Sequence, residues 1–256
     1  MVKLSAVIIT FNEERNISRC LDSLQGVVDE MVVVDSFSTD KTKSIALSKG
    51  ARVIEHPFEG HIEQKNWAIA QASYPHILSL DADEALSDEL RLAILRTKEN
   101  WQFDAYRMNR RTNYCGRWIR FGGWYPDSKS RLWDSRKGRW CGDNPHDKFE
   151  LYQSTLTPGF LEGDILHFSY YSRKEHSERT AVYAEIGGRA LIKREAKALL
   201  LKQFLNPFLK FIKSYFLKLG FLEGSDGFFI AYQSFRETWL KYRYARLAVS
   251  SNSLSS

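Results

Sequence analysis

Val2-Lys3-Leu4-Ser5-Ala6-Val7-Ile8-Ile9-Thr10-Phe11-Asn12-Glu13-Glu14 is the stretch whose reading decides the fold. From Val2 to Thr10 it is apolar and rich in β-branched residues, and then it turns abruptly polar. A strand with one wet face alternates, whereas a continuous apolar run suits a strand buried on both faces, as in a parallel sheet. Over residues 13–24 the spacing becomes helical, with Ile17, Cys20, Leu21 and Leu24 on one face. Glu30-Met31-Val32-Val33-Val34 is a second buried strand. Asp40 can cap a helix that runs to Lys49 and is ended by Gly50. Residues 51–54 form a short third strand, 62–72 a helix and His76-Ile77-Leu78-Ser79-Leu80 a fourth strand, and Ser87 opens a helix through Leu95. The alternation predicts an α/β domain built on a Rossmann-like, mostly parallel sheet flanked by helices.

Ligands of such sheets bind beyond the carboxyl ends of the strands. Three of those ends carry polar clusters: Thr10-Phe11-Asn12-Glu13-Glu14, Asp35-Ser36-Phe37-Ser38-Thr39-Asp40 and Asp81-Ala82-Asp83-Glu84. Asp81 and Asp83, two residues apart, can converge on one hard divalent cation, Mg²⁺ or Mn²⁺, which takes oxygen ligands and shares them with substrate phosphates. The bland alternative is a solvated turn, where Asp is common. Asp35 can accept a hydrogen bond from a base N–H or a ribose hydroxyl, or can serve its own turn. No GxGxxG or GxxxxGK[ST] follows the first strand, so dinucleotide-binding and P-loop classes lose their main support.

Over residues 104–168 short β-like runs are broken by Gly, Pro and Asp, and aromatics such as Trp118, Trp124, Tyr125, Trp133 and Trp140 are dense. Mixed or antiparallel strands and long loops walling a cleft are expected there. From Ser172 the chain turns helical, with candidate helices at 173–201, 203–219 and 228–247. The chain has 256 residues, 43% apolar, enough for a full core, and a net charge of +6. Such a charge suits nucleic acid, an anionic membrane or a phosphorylated substrate. Nucleic acid would need a basic stripe on the folded domain. The conspicuous basic stretch lies instead on the terminal helices, where Lys202, Lys210, Lys213 and Lys218 interleave with Phe204, Phe208, Phe211 and Phe216. That pattern reads as a helix lying in a membrane interface, or as one packed on the domain or a partner chain. Cys20, Cys115 and Cys141 have no CxxC spacing and are expected as reduced cytosolic thiols. No secretory leader and no bilayer-spanning run is expected.

Four motifs in order carry a family resemblance: Ile8-Ile9-Thr10-Phe11-Asn12-Glu13-Glu14, Val34-Asp35-Ser36-Phe37-Ser38-Thr39-Asp40, Gln64-Lys65-Asn66-Trp67-Ala68 and Leu80-Asp81-Ala82-Asp83-Glu84. Together they resemble glycosyltransferase family 2, with its GT-A fold and inverting mechanism. Gly122-Gly123-Trp124-Tyr125-Pro126-Asp127, Arg131-Leu132-Trp133, Asn144-Pro145-His146-Asp147 and Ile165-Leu166-His167-Phe168-Ser169-Tyr170 are similar to the branch of bacterial lipopolysaccharide core β-glucosyltransferases. Asp147 stands where that branch usually has glutamate.

The resemblance implies that Thr10, Asn12 and Glu14 line the nucleotide pocket, Asp35 contacts the base and Lys65 sits near the base or diphosphate. It implies Asp81 at the ribose or metal, Asp83 on the metal, and His167 joining the metal or diphosphate. Asp147, beside His146, becomes the expected base, with Asp143 and Asp127 as alternatives. Trp124 and Tyr125 can stack on a sugar or pack in the core. The implied organisation is a GT-A catalytic domain over 1–170, with a nucleotide-sugar half at 1–100 and an acceptor half at 101–170. A helical, membrane-associating extension at 171–248 and a flexible tail at 249–256 follow. The implied function is inverting transfer of one hexose, such as glucose, from a UDP-sugar or similar donor. The acceptor would be a lipopolysaccharide-core or other cell-envelope glycan, as glycolipid or oligosaccharide, met at the inner face of the cytoplasmic membrane. No nucleic-acid partner is expected. Gln233-Ser234-Phe235-Arg236-Glu237-Thr238-Trp239 departs from the QxxRW pattern of processive synthases, which favours one sugar per acceptor. The alternatives are a binding or regulatory protein on the same fold, or a nucleotidyltransferase, which would show a Gly-rich, basic first loop.

Overall fold

The computed structural model describes residues 1–143, 146–153, 157–193 and 199–253, with backbone alone at 143, 146, 147 and 249–253. The elements in chain order begin with β1 (Leu4–Thr10), α1 (Ile17–Leu24), β2 (Glu30–Asp35), α2 (Thr42–Ser48) and β3 (Arg52–Glu55). They continue with α3 (His61–Ala70), β4 (His76–Asp81), β5 (Glu84–Leu86), α4 (Asp88–Glu99), β6 (Ala105–Tyr114) and β7 (Arg117–Trp118). Then come β8 (Asp127–Asp134), β9 (Gly138–Asp143), β10 (His146–Leu151), β11 (Gly159–Tyr170), α5 (Arg173–Lys193), α6 (Leu199–Ile212) and α7 (Gly224–Ser253). The chain divides into two compact units: Met1–Arg111 with Asp127–Phe168, and Thr112–Pro126 with Ser169–Ser256. Residues 112–126 fall in the second unit, although the sequence reading assigns them to the acceptor half.

The main sheet runs β3-β2-β1-β4-β8-β6-β11-β5, with β7 beside β6. Strands β3, β2, β1 and β4 are parallel, and β8 pairs antiparallel with both β4 and β6. This is the α/β architecture expected for a GT-A fold. The apolar run of β1 is explained by cover on both faces. Leu4, Ala6 and Ile8 pack with Ile17, Leu21 and Leu24 of α1 and Leu90 and Ile94 of α4. Val7 points the other way, with Val32, Val34, Ala68 of α3, Ile77 and Trp133. Every one of these side chains is at most 2% exposed.

Several boundaries differ from the sequence reading, among them the expected helix at 173–201, whose residues give α5 to Lys193 and the start of α6 at Leu199. Helix α1 starts at Ile17 and not at Glu13. Residues 13–16 instead make a turn in which the Glu13 carbonyl accepts from the amides of Asn16 and Ile17, both at 2.9 Å. The expected helices at 203–219 and 228–247 become α6, a π-helical turn at Lys213–Leu217, a 3₁₀ turn at Gly220–Glu223 and the long α7. Leu219 (φ 57°) and Gly224 (φ 62°) take left-handed conformations that break the helix there. Helix α7 reaches Ser253, into the stretch read as a loose tail. Helix α4 is capped as its composition dictates. The Ser87 hydroxyl accepts from Leu90 N, with Asp88 and Glu89 in the first turn and Arg96 and Lys98 in the last.

The second unit has its own core. Tyr114, Ile119 and Ile230 are fully buried, with Trp124, Tyr170 and Phe229 packed on them. Loop residues 120–123 are tied down by polar contacts. The buried Glu223 carboxylate accepts from Arg120 N (2.7 Å) and Phe121 N (3.0 Å). Gly122 N donates to the Lys218 carbonyl, and Ser214 Oγ donates to the Gly122 carbonyl.

Candidate active site

The carboxyl ends of β1, β2 and β4 lie side by side, since Thr10 pairs with Asp35 and Ile9 with Asp81. The two loops that leave β1 and β2 are laced together. Asn12, held at φ 53°, donates its amide to Ser38 Oγ and accepts from Thr39 N through Oδ1. Glu13 N donates to Thr42 Oγ1, Glu14 N to Asp40, and Lys41 N to the Glu14 carboxylate. Asp40 also accepts from Thr42 N and Oγ1, so it serves the start of α2 as its composition suggests.

Asp35 is fully buried, and both carboxylate oxygens are engaged by Ser38, the amide at 2.7 Å and the hydroxyl at 2.5 Å. Asn12, Glu14 and Asp35 thus shape the rim of the site through their side chains. Thr10 differs: its hydroxyl is buried and has no hydrogen-bond partner among the described residues. A buried hydroxyl without a partner costs about 1–3 kcal/mol, so this one is suited to a ligand. The Trp140 indole N–H is likewise buried with no partner among the described residues.

Asp81 sits between two cations. Lys65 Nζ, almost fully buried, is 3.1 Å from Oδ1, and Arg131 Nη2 is 2.9 Å from Oδ2. Burial alone would push the Asp81 carboxyl up; Lys65 and Arg131 outweigh it and hold the group well below the usual carboxylate range. Both cations also lie against the Trp140 ring, at 4.5 and 5.3 Å from its centroid. The Trp140 backbone is fixed in turn by Asn66 of α3, whose side-chain amide donates to the Trp140 carbonyl and accepts from its backbone N–H.

Glu84 is the second anion of this cluster. Its Oε1 accepts from Arg131 at 2.9 Å and from Arg110 at 3.2 Å, and its Oε2 accepts from the Asp81 amide at 3.0 Å. Arg110 reaches onward to Asp127 through Nε and Nη2. Asp127, one of the alternative bases, is therefore committed to Arg110 and to Lys129 at 3.0 Å.

Asp83 is placed apart from this cluster. Its carboxylate is 3.3 Å from His167 Nε2 on β11, which pairs antiparallel with β5 just beyond Asp83. The two side chains are about equally exposed, at 19% and 16%. Among the described residues no group of three or more His, Cys, Asp or Glu side chains converges as a cation cage. Asp83 and His167 present a carboxylate and an imidazole to one another, whereas the charge of Asp81 is shared by Lys65 and Arg131.

Asp147 and His146 lie on β10, which pairs with β9 in a separate two-stranded sheet and sets Asp147 opposite Gly142. Their side chains, and that of Asp143, lie outside the described residues. Trp124 packs edge-on to Tyr114 at 5.7 Å, which accords with the core-packing reading. Sequence reasoning gave no role to Glu84, Arg110, Arg131 or Trp140. The visible signal was Glu84 within the Asp81 motif and Arg131 within Arg131-Leu132-Trp133.

Comparison with known proteins gives a consistent picture. The chain matches the family model for Glycosyl transferase family 2 over residues 5–199. It is 28% identical over 249 residues to an uncharacterized glycosyltransferase of Rickettsia typhi, covering 89% of this chain and 81% of that protein. It is 27% identical over 243 residues to a lipopolysaccharide core biosynthesis glycosyltransferase of Rhizobium meliloti, covering 88% and 87%. Among solved structures it resembles glucosyl-3-phosphoglycerate synthase of Mycobacterium tuberculosis, crystallised with Mn²⁺, uridine diphosphate and glucosyl-3-phosphoglycerate. That match has 29% identity over 45% of each chain and a TM-score of 0.35.

Proposed function

The chain belongs to glycosyltransferase family 2, and we propose that it transfers one hexose, with inversion, from a UDP-sugar to a lipopolysaccharide-core or related cell-envelope glycolipid. The observation that carries this reading is the division of labour at the end of β4. Asp81 is paired with Lys65 and Arg131, while Asp83 faces the His167 imidazole at 3.3 Å. Asp83 and His167 would hold a divalent cation, Mn²⁺ or Mg²⁺. When bound there, it would offset the charge that develops on the leaving diphosphate.

The protein's own groups do the remaining work. The orphaned Thr10 hydroxyl and the Asp35 end of β2 receive the nucleoside, and Asp81 accepts from the ribose. Lys65 and Arg131 supply fixed positive charge beside the diphosphate, held in place by Trp140 and Glu84. Asp147 takes the proton of the acceptor hydroxyl as that oxygen attacks the anomeric carbon. The bond from the anomeric carbon to the diphosphate breaks, and UDP leaves with the electron pair. His146 sits beside the base in the chain. The acceptor reading follows the resemblance and the name of the Rhizobium relative. It sets the reaction at the inner face of the cytoplasmic membrane. Among the described residues no helix is long and apolar enough to cross a bilayer.

The test is a donor panel of UDP-, GDP- and ADP-sugars with Mn²⁺, read as sugar transfer and as slow donor hydrolysis. UDP-glucose with Mn²⁺ is expected to turn over, and chelator or Asp83→Ala to reduce turnover at least about 100-fold. Asp147→Asn is expected to abolish transfer while donor affinity stays within about threefold. Full activity in chelator sinks the metal role, and surviving transfer in Asp147→Asn moves the base elsewhere.

A further inference from the structure

Helix α6 buries polar positions and exposes most of its apolar ones. Its buried positions are Gln203 and Pro207. Gln203 accepts from Arg246 Nε of α7 at 3.0 Å, and Asn206 donates to the Tyr242 hydroxyl of α7 at 2.8 Å. Phe208 and Phe211 touch α7 edge-on, at Phe235 and Phe228, yet much of the apolar surface of α6 is left uncovered. Leu201, Phe204, Leu205, Phe208, Leu209 and Ile212 are each 45–66% exposed, and the following turns add Phe216, Leu217 and Leu222. A helix in water turns these faces the other way round. An exposed apolar surface of this extent marks a docking site.

Charge selects the occupant. Residues 199–222 contain Lys202, Lys210, Lys213 and Lys218 and no acidic residue. Lys210, Lys213 and Lys218 are exposed among the same apolar side chains. A second copy of this chain would bring lysines against lysines across a twofold axis, which opposes association. An anionic bilayer satisfies both features: rings and leucines enter the acyl boundary while the lysines reach the headgroups.

We propose that the outer face of α6 and the turns up to Leu222 form a docking surface for an anionic lipid bilayer. Docking carries a loop with it, because Lys218, Ser214 and Glu223 bond the backbone of residues 120–122. The surface serves the lipid-anchored acceptor proposed above and to that extent rests on that reading, but vesicle binding needs neither donor nor acceptor.

The experiment is co-sedimentation of the full chain with phosphatidylcholine vesicles, with and without about one-third phosphatidylglycerol. Binding to the anionic vesicles is expected, weakened at least about 10-fold by omitting phosphatidylglycerol or by Phe208→Ser with Leu209→Ser. Lys210→Glu with Lys213→Glu, which removes no packing, is expected to abolish the preference for anionic vesicles. Donor hydrolysis by both variants should equal that of the parent chain. Absent vesicle binding overturns the proposal, as does equal binding by the variants. So does a dimer in light scattering that Leu209→Ser dissociates. Vesicle binding without sugar-donor turnover supports the surface and refutes the catalytic reading; turnover without vesicle binding does the reverse.

Discussion

At residue 84 a carboxylate that is 1% exposed faces two guanidinium groups and one amide. Removing one member of such a buried set leaves its partners charged and unpaired, which typically costs about 3–5 kcal/mol. Glu84→Gln keeps an acceptor oxygen but not the charge, so a loss of about 3 kcal/mol in urea unfolding is expected. Asp83→Ala removes a partly exposed carboxylate with one imidazole neighbour and should cost under about 1 kcal/mol while destroying metal-dependent turnover. The contrast separates the residue that holds the site together from the one that works in it. His176 gives a pH prediction. It lies among Tyr114, Tyr170 and Phe229, with its Nδ1 hydrogen-bonded to the Tyr114 hydroxyl at 3.0 Å. Burial, helped by Arg179, lowers its pKa to about 4. The unfolded chain takes up this proton near pH 6.5, and the native chain only near 4. Stability is therefore full above the unfolded value and falls with acid across that window, by up to about 3 kcal/mol. Urea midpoints measured from pH 7 to 4 should lose that slope in His176→Gln. Asp29 titrates elsewhere. Burial would raise it, but Lys98, the Leu4 amide and Lys3 hold it at about 2, so its contribution is lost only below about pH 4.

Between elements, one close approach is that of β11 to the start of α4. Gly163 has φ +92°, and a Cβ there would fall on the backbone of Leu90, with Leu90 Cα at 2.7 Å and Glu89 C at 2.9 Å. Gly163→Ala should therefore cost about 2–4 kcal/mol, because strain and overlap add and backbone cannot step aside. Gly26 has a similar φ of +73° with nothing within 4 Å, so Gly26→Ala should cost only about 1 kcal/mol. A thermal melt of the two variants tests whether packing or dihedral preference governs these sites. The same contact shows where reading by periodicity ends. Strands β1, β2 and β4 were legible because cover on both faces makes them continuously apolar. Strand β5 was not, because three residues inside an acidic turn carry no period, and its pairing with His167 is set from far along the chain.

Across the whole molecule, legibility follows the distance over which contacts are made. Thr10, Asp35 and Asp81 were legible as neighbours because each ends its own strand, so local pattern and topology set them side by side. Arg131 meets Asp81 from 50 residues away on an antiparallel strand, and no local period announces that contact. The exposed apolar face of α6 was half legible: its basic, aromatic content was visible, but the packing of Gln203 and Asn206 on α7 is what shows which side chains stay uncovered. The proposed donor site and the proposed docking face lie in different compact units, so the two proposals can be tested apart. UDP with Mn²⁺ at about 100 times its dissociation constant should stabilise the native chain by about 2.7 kcal/mol. Asp83→Ala should remove the Mn²⁺-dependent part of that increment and leave vesicle binding intact. Phe208→Ser with Leu209→Ser should do the opposite, keeping the whole increment and losing the vesicles. Loss of both properties in either variant, seen by calorimetry and sedimentation on the same samples, would mean that lipid docking and donor binding are one coupled event.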